Sequence, residues 1–359
     1  MPNKIMLTGG GTLGPVTPLL AVASAWKQAD PTVEFVWVGT RFGPDRGPVE
    51  AADIRFLHIP VFRLPRHPTL EWFALPFRFA AALVMSWLII GREQPDLIAS
   101  AGGYTGVPLI WIGKLRGKKV WIHQQDVTPS LASRLSAPFA DCITVAWQRL
   151  LSRFSKKKTD WIGNPVRESI LQGKKDIAHE AFGIDLSRPT VFVFGGGTGA
   201  TWLNHMMEQV GGALTEQANV IHVTGRGKLS PRLKEMGKRY HAIEFAGEEM
   251  AHAFAVADIV IARAGMATIT ELAAMRKPAI LIPLPHSPQE ANAKILKEAD
   301  AAIVLDQTVA GVGDIKAAAL ELLQNAKRRE QMSRRIADVL PTDVAEKLVH
   351  HVRRHALQS

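Results

Sequence analysis

With 359 residues, 47% of them hydrophobic and 21% charged, the chain is too long for one ordinary core and too apolar for a disordered or fibrous protein, so two α/β domains are expected. The formal charge of +10 calls for a polyanionic partner, but Lys and Arg are scattered and no nucleic-acid module is recognisable, so nucleic acid is not expected among the partners. The single cysteine, Cys142, excludes an intramolecular disulfide and any cysteine-cluster metal site, and the apolar run at the N-terminus is too short for a signal peptide, which predicts a reducing, cytoplasmic setting.

Residues 4–8 read as a short buried strand, followed by the turn Gly9-Gly10-Gly11-Thr12-Leu13-Gly14 and a helix over 16–27. Gly9, Gly11 and Gly14 satisfy G-x-G-x-x-G in the setting where helix N-terminal amides hold phosphate. The strand over 33–38 completes a parallel βαβ unit and runs into Gly39-Thr40-Arg41, where a dinucleotide-binding domain would place an acid. Arg41 there leaves an NADP enzyme open.

The stretch 72–90 collects Trp72, Phe73, Phe77, Phe79, Trp87, Leu88, Ile89 and Ile90 around Arg78, with Arg92 beyond it. Pro76 and Arg78 interrupt it, so a helix lying on a membrane surface is expected rather than a span; a core helix with one buried face is an equal alternative. Strands over 96–99, 119–123 and 142–145 continue a doubly wound domain, and Lys156-Lys157-Lys158 reads as a solvated face. Turn chemistry over 162–167 marks the boundary.

Near residue 190 the same pattern restarts: a strand over 190–194, the turn Gly195-Gly196-Gly197-Thr198-Gly199, a helix from Trp202 and a further strand over 220–223. The turn offers a phosphate site at a helix N-terminus, or is simply a tight turn needing positive φ. After the strand over 258–262, Ala264, Gly265 and Ala267 allow close approach, and Glu271 can accept two ribose hydroxyls; alone, Glu271 is equally a first-turn carboxylate matched to the helix dipole. Beyond a strand over 279–282, Gln289 and Asn292 stand one turn apart at the ligand-binding end of the sheet.

In order, GGGTLGPVTPLLAVA, SAGGYTGVPL, HQQD, GNPVR, FGGGTGATWLN, ADIVIARAGMATITELAA and HSPQEANA resemble glycosyltransferase family 28 over nearly the whole chain. The resemblance implies a GT-B fold, two Rossmann-like doubly wound domains facing across a cleft. Residues 1–163 would bind acceptor and membrane, 164–340 would bind UDP-GlcNAc, and a C-terminal helix over about 341–359 would pack back on the first domain. The implied activity moves N-acetylglucosamine from UDP-GlcNAc to lipid I, an undecaprenyl-pyrophosphate-linked acceptor, forming lipid II for peptidoglycan, with no cofactor or metal. It would take place peripherally on the anionic inner-membrane surface, at its cytoplasmic side.

By the same resemblance Glu271 would hold the ribose and Ala267, Thr268 and Gln289 the donor sugar. Gly197, Thr198 and Arg167 would face the diphosphate, and Phe245 and Ala246 the uracil. Gly10, Gly11, Thr12, Gly14, Gly103, Tyr104 and His123 would meet the acceptor and its phosphates; Trp72, Phe73, Phe77, Arg78 and Trp87 would form the membrane patch. The sequence departs from the family at three places. Pro15 replaces the histidine of GGTGGH, His123-Gln124-Gln125-Asp126 replaces HEQN, and Gly197 replaces the serine of GGSQGA. Proline cannot be a base, so Asp126 becomes the candidate catalytic base, with a helix N-cap as its alternative role. A different enzyme of this fold, such as a 2-epimerase, and a non-catalytic sugar-nucleotide-binding protein remain as rivals, beside the NADP enzyme.

Overall fold

In the computed structural model, residues 4–11, 13–60, 71–197 and 199–357 are described, the side chains of 71–73 excepted. The first sheet is built from β1 Lys4–Thr8, β2 Glu34–Gly39, β3 Arg55–His58, β4 Leu97–Ser100, β5 Lys119–Gln124, β6 Cys142–Val145 and β7 Thr159–Trp161, in the order β3-β2-β1-β4-β5-β6-β7. The second is built from β8 Thr190–Phe194, β9 Asn219–Val223, β10 Tyr240–Ile243, β11 Ile259–Ala262, β12 Ala279–Leu281 and β13 Ile303–Val304, in the order β10-β9-β8-β11-β12-β13. Every pairing is parallel. Helices cover both faces of such a sheet, which is why β4, β6, β8 and β11 are buried along their whole length and read as unbroken apolar runs. In each sheet the chain reverses its direction of travel once, between β1 and β4 and between β8 and β11. Open α/β sheets bind ligands at the carboxyl ends of the strands flanking that point.

The chain divides into two units, Met1–Pro165 with Asp343–Ser359, and Val166–Thr342. Asn164 and Pro165 belong to the first unit, where Asn164 is tied to β5 through His123. The last helix, Ala345–Val352, packs on Val16–Ala29 and adds Val344, Leu348, Val349, Val352 and Ala356 to the same buried cluster as Leu19, Val22 and Trp26. The core of the first unit is thus completed by the end of the sequence.

The helix Glu71–Glu93 carries Pro76 within it and is long and apolar enough to cross a membrane. It buries a single stripe, Ala82, Ser86, Ile90 and Glu93, at the three- and four-residue spacing of one helix face. Glu93 is held there by Arg55 and Lys4. The opposite side exposes Phe77, Val84, Trp87 and Leu88, with the Arg116 guanidinium stacked 3.9 Å above the Trp87 ring. Arg78 is also exposed, while the side chains of Trp72 and Phe73 lie outside the described residues.

Candidate active site

In the first unit, the loops after β1, β4 and β5 meet at the reversal point. Gly11, Gly102 and Gly103 have φ of 95°, 107° and 88°, a region open to glycine. A Cβ on Gly103 would stand 2.8 Å from both the amide nitrogen and the carbonyl oxygen of Gly10, and one on Gly11 would stand 2.4 Å from the Tyr104 ring. The two glycine loops are therefore in direct backbone contact, and a side chain at 103 would push them apart. Gln125, only 5% exposed, clamps them: Nε2 donates to the Gly14 carbonyl at 3.2 Å and the Ala101 carbonyl at 3.0 Å. With its amide so oriented, Oε1 is buried and has no partner among the described residues. Gln125 was not among the sequence-derived site residues, since nothing in a bare HQQD segment reveals which loops its amide would reach. Thr12, assigned to the acceptor, lies outside the described residues.

His123 requires a correction. It is 1% exposed, with Nδ1 2.9 Å from Thr144 Oγ1 and Nε2 2.8 Å from Asn164 Oδ1. The Asn164 carbonyl oxygen can only accept, so Nε2 carries the proton and Nδ1 accepts from the Thr144 hydroxyl, which itself accepts from Trp121 Nε1 at 2.9 Å. Burial lowers the His123 pKa to about 4. A neutral imidazole with both nitrogens occupied has no atom left for a phosphate; His123 ties β5 to the linker instead.

Asp126 is half-buried just beyond β5, its carbonyl accepting from Gln124 Nε2 at 2.7 Å. It is not the helix cap, because Ser130 caps Leu131–Ser136 by accepting from the Ser133 amide at 3.1 Å.

In the second unit, the turn after β8 leads into the helix Thr201–Thr215. Gly196 and Gly199 have φ of 83° and 70°, and a Cβ on Gly199 would lie 2.2 Å from the Thr224 carbonyl oxygen. These glycines are sterically required, and the turn leaves Gly197 exposed at the start of the helix; Thr198 lies outside the described residues. The helix Met266–Ala274 starts directly after β11 with Gly265 as N-cap, which brings no capping side chain to its first amides. Ala267 is half-buried, Thr268 and Glu271 are buried, and the Thr270 hydroxyl turns back to donate to the Met266 carbonyl at 2.7 Å.

Arg167 Nη2 donates to Glu271 Oε1 at 2.6 Å, bringing together residues 104 positions apart. Burial raises the Glu271 pKa, against the lowering effect of the Arg167 charge and hydrogen bond. Gln289 Oε1 accepts from the Leu284 amide at 3.0 Å, which leaves Nε2 on the Gly265 side, 3.9 Å from where a Cβ there would stand. Asn292, its partner one turn on, is fully buried and donates to the Ala264 carbonyl at 3.4 Å, so it shapes the loop. Arg263, absent from the sequence reading, is 6% exposed and donates to the carbonyls of Ile282 at 2.9 Å and Pro283 at 3.3 Å, holding the segment that carries Gln289. Phe245 is 56% exposed beneath the Arg226 guanidinium at 4.5 Å, beside the buried Ala246.

The sequence profile of the glycosyltransferase family 28 N-terminal domain matches residues 5–145, and that of the family's C-terminal domain matches 190–348. The chain is 32% identical, over 97% of both lengths, to the UDP-N-acetylglucosamine--N-acetylmuramyl-(pentapeptide) pyrophosphoryl-undecaprenol N-acetylglucosamine transferase of Nocardioides sp.. MurG of Acinetobacter baumannii has the same fold with a TM-score of 0.74 at 22% identity, covering 98% of this chain and 100% of that one. A UDP-N-acetylglucosamine 2-epimerase structure shares it at 0.68 and 14%, covering 99% and 97%, so the GT-B fold by itself does not choose between transfer and epimerisation. Matched along both halves and to a full-length relative, the chain belongs to glycosyltransferase family 28.

Proposed function

We propose that the chain transfers N-acetylglucosamine from UDP-N-acetylglucosamine to lipid I, the undecaprenyl-pyrophosphoryl muramyl-pentapeptide, with inversion at the anomeric carbon. The observation that carries this reading is the buried Glu271 paired with Arg167 beside an uncapped helix N-terminus, in a chain that matches transferases of that name along its whole length. Glu271 accepts the ribose hydroxyls, and the amides opening Thr201–Thr215 together with Arg167 stabilise the charge that grows on the diphosphate as UDP departs. Ala267, Thr268 and Gln289 line the donor sugar, and Phe245 and Ala246 the uracil. The glycine loops clamped by Gln125 take the acceptor.

Asp126 removes the proton from the acceptor C4 hydroxyl as that oxygen attacks the anomeric carbon. Neither a cofactor nor a metal takes part in this scheme, so turnover should survive a chelator. The exposed face of Glu71–Glu93 rests on the cytoplasmic side of the cell membrane, where the acceptor resides; the stripe it buries in the first unit favours a peripheral position over a span.

Labelled UDP-GlcNAc incubated with a lipid I analogue should give a labelled lipid product and free UDP. Tight UDP binding without transfer would mean a binding protein, and conversion of the donor sugar to its 2-epimer would mean an epimerase. Asp126→Asn should lower kcat by about 100-fold or more at unchanged protein stability. Near-normal turnover in that variant would remove Asp126 as the base.

A further inference from the structure

Beyond the carboxyl end of β9 the chain makes a tight turn over 225–228, closed by the Lys228 amide donating to the Gly225 carbonyl at 3.1 Å. Gly227, its third residue, has φ of 69°, a conformation that such a turn reserves for glycine. Arg226, the second residue, therefore stands at the tip and is exposed. Two bonds carry the β9–β10 ladder past the end of β9. The Thr224 amide donates to the Ile243 carbonyl at 2.9 Å, and the Gly225 amide to the Glu244 carbonyl at 3.1 Å. They bring the tip beside Phe245, where the Arg226 guanidinium lies over the ring, 4.5 Å from its centroid.

The turn is also fastened to the first residues of Thr201–Thr215. The buried Asn204 donates through Nδ2 to the Thr224 carbonyl at 3.1 Å and the Lys228 carbonyl at 3.3 Å, one on each side of the tip. Its Oδ1 accepts from His222 Nε2 at 3.1 Å, and His222 Nδ1 accepts from the Tyr240 hydroxyl at 2.8 Å, so the amide cannot turn over. The turn meets the glycine turn before the same helix as well, since a Cβ on Gly199 would stand 2.8 Å from the Gly225 Cα. Arg226 thus extends from a fixed backbone between the turn given above to the diphosphate and the ring given above to the uracil. Among the described residues no carboxylate pairs with it. Stacking occupies the face of a guanidinium and leaves the N–H groups in its plane free, and these match the oxygens of a phosphate two at a time.

We propose that Arg226 is a specificity-determining residue of the donor site, donating to the diphosphate of the nucleotide while Phe245 backs its guanidinium. The proposal rests on the donor reading given above and adds to it a second cation, beside Arg167, through which the site tells a nucleoside diphosphate from the bare nucleoside. Phe245 is 56% exposed, which leaves ring surface for the base.

The test is equilibrium dialysis of uridine and of UDP against the full chain and three variants. R226Q should weaken UDP by about 10-fold or more and leave uridine within about 2-fold, and KM for UDP-GlcNAc should rise by the same factor as the UDP Kd. R226K keeps the charge without the planar pair of donors and should recover only part of that loss. R232Q removes the same charge from the exposed side of Pro231–Lys234, just beyond the turn, and should cost no more than about 2-fold. Unchanged UDP affinity in R226Q would overturn the proposal. Equal losses of UDP in R226Q and R232Q would overturn it in favour of a diffuse field, and equal losses of uridine and UDP in R226Q in favour of a contact with the base. Wild-type protein that binds neither ligand would overturn the donor reading itself, and Arg226 with it.

Discussion

Glu271 is buried against Arg167, and in the proposed reading its carboxylate also accepts the ribose hydroxyls, so the loss of either partner is costly. Glu271→Ala is expected to weaken UDP binding by at least about 10-fold, the equivalent of one charged hydrogen bond. The same variant should lose the wild-type preference for UDP over 2′-deoxy-UDP; calorimetric titration with the two nucleotides measures both effects. The pairing of this carboxylate was not legible in the sequence, since Arg167 lies 104 residues away and nothing local announces it. His123 illustrates the opposite case. A histidine in a segment facing a ligand loop reads as a ligand, but its two partners are 21 and 41 residues away, and they consume both nitrogens.

That burial has a pH signature. The folded state holds His123 with a pKa of about 4, below the ordinary 6.5, so the unfolded chain binds a proton that the folded chain refuses. The stability it contributes is complete above about pH 6.5 and is lost as pH falls towards 4, at about 1.4 kcal/mol per pH unit. Of the nine tryptophans, all but Trp202 belong to the first unit, so tryptophan fluorescence during urea unfolding reports on it. The unfolding midpoint should fall between pH 7 and pH 5 in the wild type, and His123→Gln should flatten that dependence. Equal slopes in the two proteins would mean that His123 is not buried neutral.

At the scale of elements, the interior strands β1, β2, β4, β5, β6, β8, β9, β11 and β12 were all legible as apolar runs, and β3, β7, β10 and β13 were not. Those four are the outer strands of the two sheets. Each is two to four residues long and half-exposed over most of its length, so none carries the unbroken apolar run that a covered strand requires. The glycine turns were legible as turns, but their chemistry was not, because sterics alone demands glycine there. Two glycines of one turn-and-helix segment separate these effects. Gly199 has φ of 70° and no room for a Cβ, whereas Gly212 sits on the exposed side of Thr201–Thr215 with nothing within 4 Å of a Cβ. Gly212→Ala should stabilise the protein by about 0.5 to 1 kcal/mol and Gly199→Ala should destabilise it by more than that, read as opposite shifts in thermal midpoint.

For the whole molecule, the return of the last helix to the first unit is the decisive connection. Truncation after Thr342 would strip Leu348, Val349, Val352 and Ala356 from a buried cluster and uncover Leu19, Val22 and Trp26. The truncated chain should lose the first unit to limited proteolysis while a resistant fragment close to Val166–Thr342 persists. Survival of both units would show that the helix is dispensable to the core.

The same connection orders events during synthesis. The second unit is one unbroken length of sequence, and it can close as soon as Thr342 has cleared the ribosome. The first unit begins to emerge earlier, yet it waits with part of its hydrophobic cluster unpaired until Ala345–Val352 has emerged as well. In a stalled-translation series, protease resistance should therefore appear in the later-made half first, with the nascent first unit left open to cleavage for longest.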